Sequence, residues 1–216
     1  MRPMFITFEG GEGAGKSLQL KMLIECLQKN GIDVVQTKEP GGTDIGLQLR
    51  KILVQGDKDK LDCISEMLLY YADRRIHLSS KILPALKDNK WVISDRYADS
   101  TVAYQYYGYE CRIDKDLLDK MYQIVAGDFQ PDLTIILDID PEKGLKRSFE
   151  KAEGMKEKEL RFEKMDLKFH QNIRNGFLQI AKENPKRCVV VNADDTPEAV
   201  HENIKKIIAE RTGLIL

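Results

Sequence analysis

Short apolar runs alternate with longer amphipathic stretches along the whole chain. The runs have the length and composition of buried strands, and their lack of polar alternation predicts a parallel sheet that is covered on both faces. Between the runs, apolar residues recur every three or four positions, which predicts helices. This alternation indicates one three-layer α/β/α domain over residues 1–216, with right-handed crossovers. We predict a five-stranded parallel sheet with strands at residues 4–8, 34–38, 91–94, 133–138 and 188–192.

Capping residues, glycines and prolines set the helix boundaries. Thr43 or Asp44 can cap the second helix, and Gly127 closes the fourth. The apolar stripe of the fourth helix fits a core contact and a subunit interface equally well. The helices are predicted near residues 20–27, 45–53, 64–86, 113–125, 162–181 and 200–208.

The composition limits the classes of function. The chain has 216 residues, of which 42% are hydrophobic, and a formal net charge of −1. A nearly neutral chain is a poor platform for nucleic acid, so we expect no nucleic-acid partner. No apolar run approaches the roughly 18 residues of a membrane helix, so we expect no membrane association. The four cysteines form no C-x-x-C pair, which favours reduced thiols in a cytoplasmic protein over a zinc site.

A glycine-rich segment between the first strand and the first helix carries the strongest chemical signal. Residues 10–17 read Gly-Gly-Glu-Gly-Ala-Gly-Lys-Ser and fit the pattern G-x-x-x-x-G-K-[ST]. Glycines let successive N–H groups turn inward, and the helix that follows adds its positive end, so polyphosphate binds in such a loop. Lys16 can place its charge between the terminal phosphates, and the Ser17 hydroxyl can coordinate magnesium.

Polar residues elsewhere are weaker candidates. Asp95 and Arg96 follow the third strand, where an acid can hold magnesium-bound water and a guanidinium can face phosphates; a structural salt bridge is the competing interpretation. Tyr70 and Arg74 share one helix face, which suits a nucleobase, although their spacing alone does not decide it. Arg50 lies off the apolar face of its helix, as solvated arginines also do.

A densely charged stretch runs from Lys143 to Lys168, with Gly154 in its middle. Such stretches are usually solvated helix faces. In a phosphate-binding enzyme, however, a cationic flap closes over the nucleotide, excludes water and brings charge to the transferring group. We therefore predict a short lid at about residues 147–161.

Five motifs follow one another along nearly the whole chain. They are residues 8–17 with the glycine loop, Glu-Pro-Gly-Gly-Thr at 39–43, Asp-Arg at 73–74, Asp-Arg-Tyr through Ala-Tyr-Gln at 95–105, and Arg-Phe-Glu at 161–163. Together they resemble the thymidylate kinase family, a branch of the P-loop nucleoside monophosphate kinases. Neighbouring kinases share the first motif but lack the second and fourth. The resemblance implies a P-loop NTPase fold and Mg²⁺-dependent transfer of the γ-phosphoryl group of ATP to dTMP, giving dTDP and ADP in dTTP synthesis.

The same resemblance implies roles for individual residues. The ATP-binding loop would comprise Gly10, Gly11, Glu12, Gly13, Ala14, Gly15, Lys16 and Ser17. The catalytic set would be Lys16, Arg96, Asp95 and Glu12, with Ser17 and Asp95 serving the metal and Glu12 also reaching the sugar 3′-hydroxyl. The dTMP site would further use Arg50 and Arg96 on the monophosphate, Tyr70 stacked on thymine, Arg74 bonded to the base, and Thr101, Tyr104 and Gln105 around it.

One position separates two kinds of family member. Some carry an arginine inside the glycine loop, whereas others have glycine there and supply the arginine from the lid. Gly13 makes this chain resemble the second kind, but its lid is longer than usual and Lys151 stands nearest to the common mid-lid arginine. A lysine lacks the planar fork of arginine. The lid cation therefore stays open among Arg147, Lys151, Lys156, Lys158 and Arg161.

Two other functions compete with a dTMP kinase. The first is a kinase for another nucleotide, such as dUMP. The second is a P-loop ATPase or GTPase switch that binds a partner protein, although such a switch has no use for a second phosphate-gripping pair such as Arg50 and Arg96. The family resemblance further implies a homodimer.

Overall fold

Five parallel strands form the central sheet of the computed structural model, which describes residues 2–110, 112–153 and 159–216. The strands are β1 (Phe5–Glu9), β2 (Val34–Lys38), β3 (Trp91–Asp95), β4 (Leu133–Asp138) and β5 (Cys188–Asn192). Their order across the sheet is β2-β3-β1-β4-β5. The first strand therefore lies in the centre, and the glycine loop that follows it lies at the middle of one sheet edge. The predicted three-layer fold with five parallel strands is confirmed.

Helices cover both faces of this sheet, as expected for a parallel sheet. They are α1 (Lys16–Lys29), α2 (Asp44–Val54), α3 (Cys63–His77), α4 (Leu83–Lys87), α5 (Ala98–Thr101), α6 (Lys115–Ala126), α7 (Pro141–Ala152), α8 (Leu167–Glu183) and α9 (Pro197–Thr212). Thr43 caps α2 by accepting a hydrogen bond from the Gly46 N–H. Gly127, with a φ of 59°, ends α6 as predicted.

Successive residues of β1 point into different cores. Phe5 is buried in a cluster with Met67 of α3, whereas its neighbour Ile6 is buried in a cluster with Leu20 of α1 and Ile204 of α9. Side chains alternate across a strand, so a central strand that is apolar on both faces joins the two layers. The glycine loop and the first turn of α1 are thereby held on a rigid element.

The predicted third helix is interrupted. After α3, the chain passes through a π-helical turn over Leu78–Ile82 before α4, which carries Pro84 in its first turn. Pro84 has no backbone N–H to donate, and the wider π-helical turn before it accommodates this missing donor. Residues 98–108, to which no helix was assigned from the sequence, are helical as well, first in α5 and then in a π-helical stretch over Val102–Gly108.

The long helix before β5 begins later than predicted. It was expected from about Phe162, but α8 starts at Leu167, where Asp166 caps it by accepting a hydrogen bond from the Phe169 N–H at 2.8 Å. Phe162 is buried beside the ring of Tyr104, with ring centroids 5.3 Å apart. Its apolar character therefore reflects a tertiary contact and not a helix face.

Apolar side chains remain exposed on three helices that pack side by side. Of the apolar residues predicted to share one face of α2, only Leu53 is buried, whereas Ile45 and Ile52 are exposed. The stripe of α6 divides in the same way, because Leu118 is buried and Ile124 is 75% exposed. The full set is Ile45, Leu47, Ile52, Ile64, Leu68, Leu117 and Ile124. Within the described ranges, no helix has the length and apolar character needed to cross a bilayer.

Candidate active site

The glycine loop turns sharply between β1 and α1. Gly10, Gly13 and Gly15 have φ values of 134°, 65° and 87°, a region that other residues rarely adopt. Such conformations occur where backbone N–H groups converge on an anion. The loop opens into a cavity of about 590 Å³, a volume typical of small-molecule sites.

The loop also touches the start of α7. A Cβ atom placed on Gly13 would lie 1.9 Å from the carbonyl oxygen of Gly144, and a Cβ on Gly144 would lie 2.3 Å from the carbonyl oxygen of Glu12. Both positions are therefore limited to glycine in this backbone arrangement. An arginine at position 13 would not fit this contact between the loop and α7.

Lys16 folds back over the loop that precedes it. Its Nζ donates to the carbonyl oxygens of Gly10 and Gly11 at 3.1 and 2.7 Å. An ammonium group has three protons, so one remains for a ligand. Burial and the nearby charge of Arg96 lower the pKa of Lys16 to about 8. An anionic ligand in the cavity would favour its charged form.

Ser17 and Asp95 meet at the ends of α1 and β3. The Ser17 hydroxyl donates to Asp95 Oδ2 at 2.7 Å, and both residues line the cavity. A hydroxyl and a carboxylate are hard oxygen donors, which fits Mg²⁺. Among the described residues, no three His, Cys, Asp or Glu side chains form a metal-binding group. This donor set therefore suits an ion that takes most of its other ligands from phosphates and water.

Arg96 reaches from the end of β3 to the loop. Its backbone has a φ of 70°, which is uncommon for a residue other than glycine. Its Nη1 donates to Gly10 O at 2.9 Å and to Ser100 Oγ at 3.0 Å. Its Nη2 donates to Glu12 Oε1 at 3.1 Å and to the Tyr104 hydroxyl at 2.8 Å. The strained backbone thus holds a guanidinium group at the mouth of the glycine loop.

Glu12 is ionised although it lies in a buried setting. Burial opposes its charge, but Arg96 and Lys16 outweigh burial and lower the pKa of Glu12 to about 2. The Tyr104 hydroxyl donates a further hydrogen bond to Glu12 Oε1 at 2.5 Å. The site therefore presents a fixed negative charge between two cations.

Arg50 lines the same cavity as the loop. Its Nε and Nη2 donate to the two carboxylate oxygens of Glu159 at 2.9 and 2.6 Å, and its Nη1 donates to the carbonyl oxygen of Pro40 at 2.9 Å. Glu159 lines the cavity as well. Arg50 and Arg96 thus contribute a second group of cations to the cavity that contains Lys16.

The far end of the cavity, which we call the base end, is formed by Tyr70, Arg74, Thr101 and Gln105. Arg74 is 1% exposed; its Nε donates to Glu39 Oε2 at 2.9 Å and its Nη2 to Thr101 Oγ1 at 3.0 Å. Its Nη1 has no hydrogen-bond partner among the described residues. A buried donor without a partner in a cavity wall is a natural contact for a ligand.

Comparisons with known proteins agree on one family. The profile described as thymidylate kinase matches residues 8–204. The chain belongs to the thymidylate kinase family. It is 46% identical over 210 residues to a thymidylate kinase of Maridesulfovibrio salexigens, with 96% of each chain covered. It is 45% identical to one of Magnetococcus marinus, with 98% of each covered.

A solved structure agrees with the fold. The crystal structure of thymidylate kinase from Ehrlichia chaffeensis superposes with a TM-score of 0.75 at 37% identity, over 96% of this chain and 99% of that one. The chain therefore has the P-loop kinase fold of this thymidylate kinase and is similar in sequence to members of the family over nearly its full length.

Most of the site residues that were predicted from the sequence line one cavity. Gly10 and Gly11 are the exceptions, because these first two residues of the loop line a separate small cavity next to His170. Their carbonyl oxygens hold the Lys16 ammonium, so their contribution to the large cavity is indirect. The predicted residues that line it are Glu12, Gly13, Ala14, Gly15, Lys16, Ser17, Arg50, Tyr70, Arg74, Asp95, Arg96, Thr101, Tyr104 and Gln105.

The candidate lid cations differ in where they lie and in whether they are free to reach the cavity. Arg147 and Lys151 lie on α7 and line the cavity, and Arg147 is 3.6 Å from Asp194. Lys156 and Lys158 lie outside the described residues. Arg161 is excluded, because it is 1% exposed and its guanidinium pairs with Glu66 and with backbone carbonyl groups.

Several charged residues in or near the cavity were not assigned from the sequence, among them Lys38, Glu163 and Glu66. Lys38 directly precedes the second motif and Glu163 ends the fifth, so proximity to a motif was the available signal. Burial and the charge of Glu12 raise the pKa of Glu163 to about 7. Glu66 lies behind Gln105, which donates to it at 2.9 Å. The sequence gives no comparable signal for Glu66, because most carboxylates in the middle of a helix are exposed to solvent.

Proposed function

We propose that this chain transfers the γ-phosphoryl group of ATP to dTMP, giving dTDP and ADP, in the synthesis of dTTP. The proposal rests on membership of the thymidylate kinase family and on one geometric observation. A single cavity is lined by a phosphate-binding loop with Lys16 and by two further guanidinium groups, those of Arg50 and Arg96. Two phosphate-binding groups in one cavity suit a reaction between two nucleotides better than hydrolysis of one.

The donor side consists of the loop. The backbone of residues 10–15 would cradle the ATP polyphosphate, and the free proton of Lys16 Nζ would contact the transferring phosphate. Ser17 and Asp95 would hold Mg²⁺, which when bound neutralises charge on the phosphate oxygens. The support for this assignment is the 2.7 Å hydrogen bond that brings these two oxygen donors together.

The acceptor side would consist of other side chains that line the same cavity. Arg50 and Arg96 would bind the monophosphate of dTMP, and Glu12 would accept from the sugar 3′-hydroxyl. Thymine would stack on Tyr70, with the unpartnered Nη1 of Arg74 donating to a base oxygen. The remaining contacts would come from Thr101, Tyr104 and Gln105.

Alignment and charge carry the chemistry. The attacking oxygen belongs to a phosphate that is already anionic, so no strong general base is required. Two anions must approach each other, and the cations of Lys16, Arg96 and Arg50 would offset their repulsion. Arg147 or Lys151 of α7 would add a further charge from the side of the predicted lid.

The chain would act as a homodimer in the cytoplasm. The exposed apolar residues of α2, α3 and α6 support an interface between two copies, because monomeric proteins rarely leave large contiguous apolar patches in water. Sedimentation of the purified protein tests this assignment: a dimer that Ile124→Glu converts to a monomer is expected, and a monomeric wild-type protein would contradict it.

The activity is tested by measuring ADP release with dTMP, dUMP, dCMP, AMP and thymidine, each at the same concentration. Dominant turnover of dTMP, with dTDP as product, is expected. A preference for another acceptor would favour a kinase for a different nucleotide. ATP hydrolysis without any acceptor, and without dTDP formation, would instead favour a P-loop switch.

A further inference from the structure

The contact between Arg50 and Glu159 has the geometry with which arginine binds phosphate. Two parallel hydrogen bonds of 2.9 and 2.6 Å join Nε and Nη2 to the two carboxylate oxygens. Arginine presents the same planar fork to carboxylates and to phosphates. Burial alone would lower the pKa of Arg50, but the hydrogen bond to Glu159 raises it, so the pair is fully ionised.

We propose that Glu159 is an intramolecular competitor of the acceptor phosphate: its carboxylate occupies the fork of Arg50 until a phosphate-bearing acceptor displaces it. The inference deepens the proposed function and rests on it, because that function assigns Arg50 to the acceptor phosphate. Glu159 thereby lowers the affinity for dTMP and leaves the affinity for ligands without a phosphate group nearly unchanged.

The surroundings of the pair allow such an exchange. The side chain of Glu159 is 38% exposed and that of Arg50 is 22% exposed, so the carboxylate can leave toward solvent while the guanidinium stays in the wall. The hydrogen bond from Nη1 to Pro40 O uses neither of the two atoms that face Glu159. Arg50 therefore keeps its position when the partner changes.

Charge makes the exchange selective. A phosphate monoester carries close to two negative charges near neutral pH, whereas a carboxylate carries one, so the cations around the site favour the phosphate. Lys38 lines the same region, and its pKa is lowered by burial and then by the charge of Arg50, which places two cations close together. A neutral nucleoside offers no group that can replace the carboxylate.

The test measures binding and does not depend on turnover. Dissociation constants for dTMP and for thymidine are determined by calorimetry for the wild type, Glu159→Gln and Glu159→Ala. Both variants should bind dTMP about 2- to 5-fold more tightly, the range expected for removing competition by a partly exposed ion pair. Thymidine affinity should change by less than about twofold. Inorganic phosphate, used as a competitor of dTMP, should also bind more tightly.

Two controls isolate the contact. Glu153→Gln removes one negative charge from an exposed position of the same region that does not line the cavity, and should leave dTMP affinity unchanged. In an Arg50→Ala background, Glu159→Gln should no longer affect dTMP binding, because the competing pair is already lost. Thermal unfolding shows that each variant is folded.

Three results would overturn the inference: unchanged or weaker dTMP binding in both Glu159 variants, equal tightening of dTMP and thymidine, or persistence of the effect without Arg50. These results differ from a failure of the proposed function. If the wild-type protein does not phosphorylate dTMP, the proposed function is contradicted. If the wild type phosphorylates dTMP but the Glu159 variants bind it with unchanged affinity, only the role of Glu159 is contradicted.

Discussion

The base end of the cavity and the turn that precedes α8 each contain a deeply buried arginine, but the two arginines have different bonding. Arg74 and Arg161 are both 1% exposed, and each pairs with a buried carboxylate, Glu39 or Glu66. Arg74 keeps one nitrogen without a partner in the cavity wall. Arg161 uses all three nitrogens on Glu66 and on backbone carbonyl groups of residues 53–61.

Burial and charge therefore do not distinguish a ligand-binding arginine from a structural one. The deciding property is the number of donors that remain after the protein has used its share. Arg161 ties the end of α2 and the following loop to α3, whereas Arg74 has a donor left for a ligand. Each prediction below tests this distinction.

The largest effect is expected for Arg161→Ala. Its removal leaves the buried carboxylate of Glu66 without its cation, and breaking a buried pair in this way costs about 3–5 kcal/mol of unfolding free energy. Urea unfolding measures the loss. Lys164→Ala, which removes an exposed cation from the same turn, should cost less than about 0.5 kcal/mol. A similar small cost for Arg161→Ala would mean that this arginine is not the anchor described here.

The second effect is on catalysis. Lys16 is buried like Arg161, but its ammonium has one proton left after donating to two loop carbonyl groups. Lys16→Ala should lower kcat for dTMP phosphorylation by about 10²- to 10³-fold, because a preorganised cation at the transferring phosphate is lost. Lys21→Ala changes an exposed lysine of the same helix and should leave kcat close to that of the wild type. Near-normal turnover of a folded Lys16→Ala protein would refute the role.

The third effect is on acceptor binding. Arg74→Ala should weaken dTMP by about 10- to 100-fold, the range for losing a charged hydrogen bond, while ATP affinity changes by less than about threefold. Arg75→Ala is the matched control, because the neighbouring guanidinium donates to the Val125 carbonyl of α6. Calorimetry with each nucleotide separates the outcomes: equal loss of dTMP and ATP affinity would indicate a general structural defect.

The fold was largely predictable because its signals are local. Each strand begins with or consists of a short run of mainly apolar residues, so all five strands were found. Residues 98–108 were missed because Ser100, Thr101 and Gln105 interrupt the apolar periodicity; these positions serve the cavity and not a helix face. The start of α8 was misplaced because Phe162 packs on Tyr104 and only looks like part of a helical stripe.

The site was predictable where one motif supplies both the residue and its setting. The glycine loop and Asp95 lie at strand ends, so their convergence follows from the parallel sheet. The lid cations were not predictable, because the fate of Arg161 depends on Glu66, which is 95 positions away in sequence. The pairing of Arg50 with Glu159 spans 109 positions and was equally hidden.

The smallest effect is expected at Asp73, a buried acid next to Arg74 that has too few hydrogen-bond partners. Asp73 is fully buried; its Oδ1 accepts from the Gly41 N–H at 3.3 Å, and its Oδ2 has no hydrogen-bond partner among the described residues. Burial, together with the negative charge of Glu39, raises the pKa of Asp73 to about 6, although His77 and Arg74 act in the opposite direction. The native protein therefore holds this proton more tightly than the unfolded chain does.

The sign of the pH effect follows from this linkage. A carboxyl group whose pKa is raised from 3.8 to about 6 stabilises the fold fully below pH 4, and this contribution is lost as the pH rises through 6. Asp73→Asn keeps a neutral group at every pH, so relative to the wild type it should gain roughly 2 kcal/mol of unfolding free energy between pH 4 and 7. Urea unfolding at several pH values measures the difference. The control Asp128→Asn, at an exposed position, should show no such gain. Parallel pH profiles for Asp73→Asn and the wild type would mean that the cations next to Asp73 compensate its charge, as Arg161 does for Glu66.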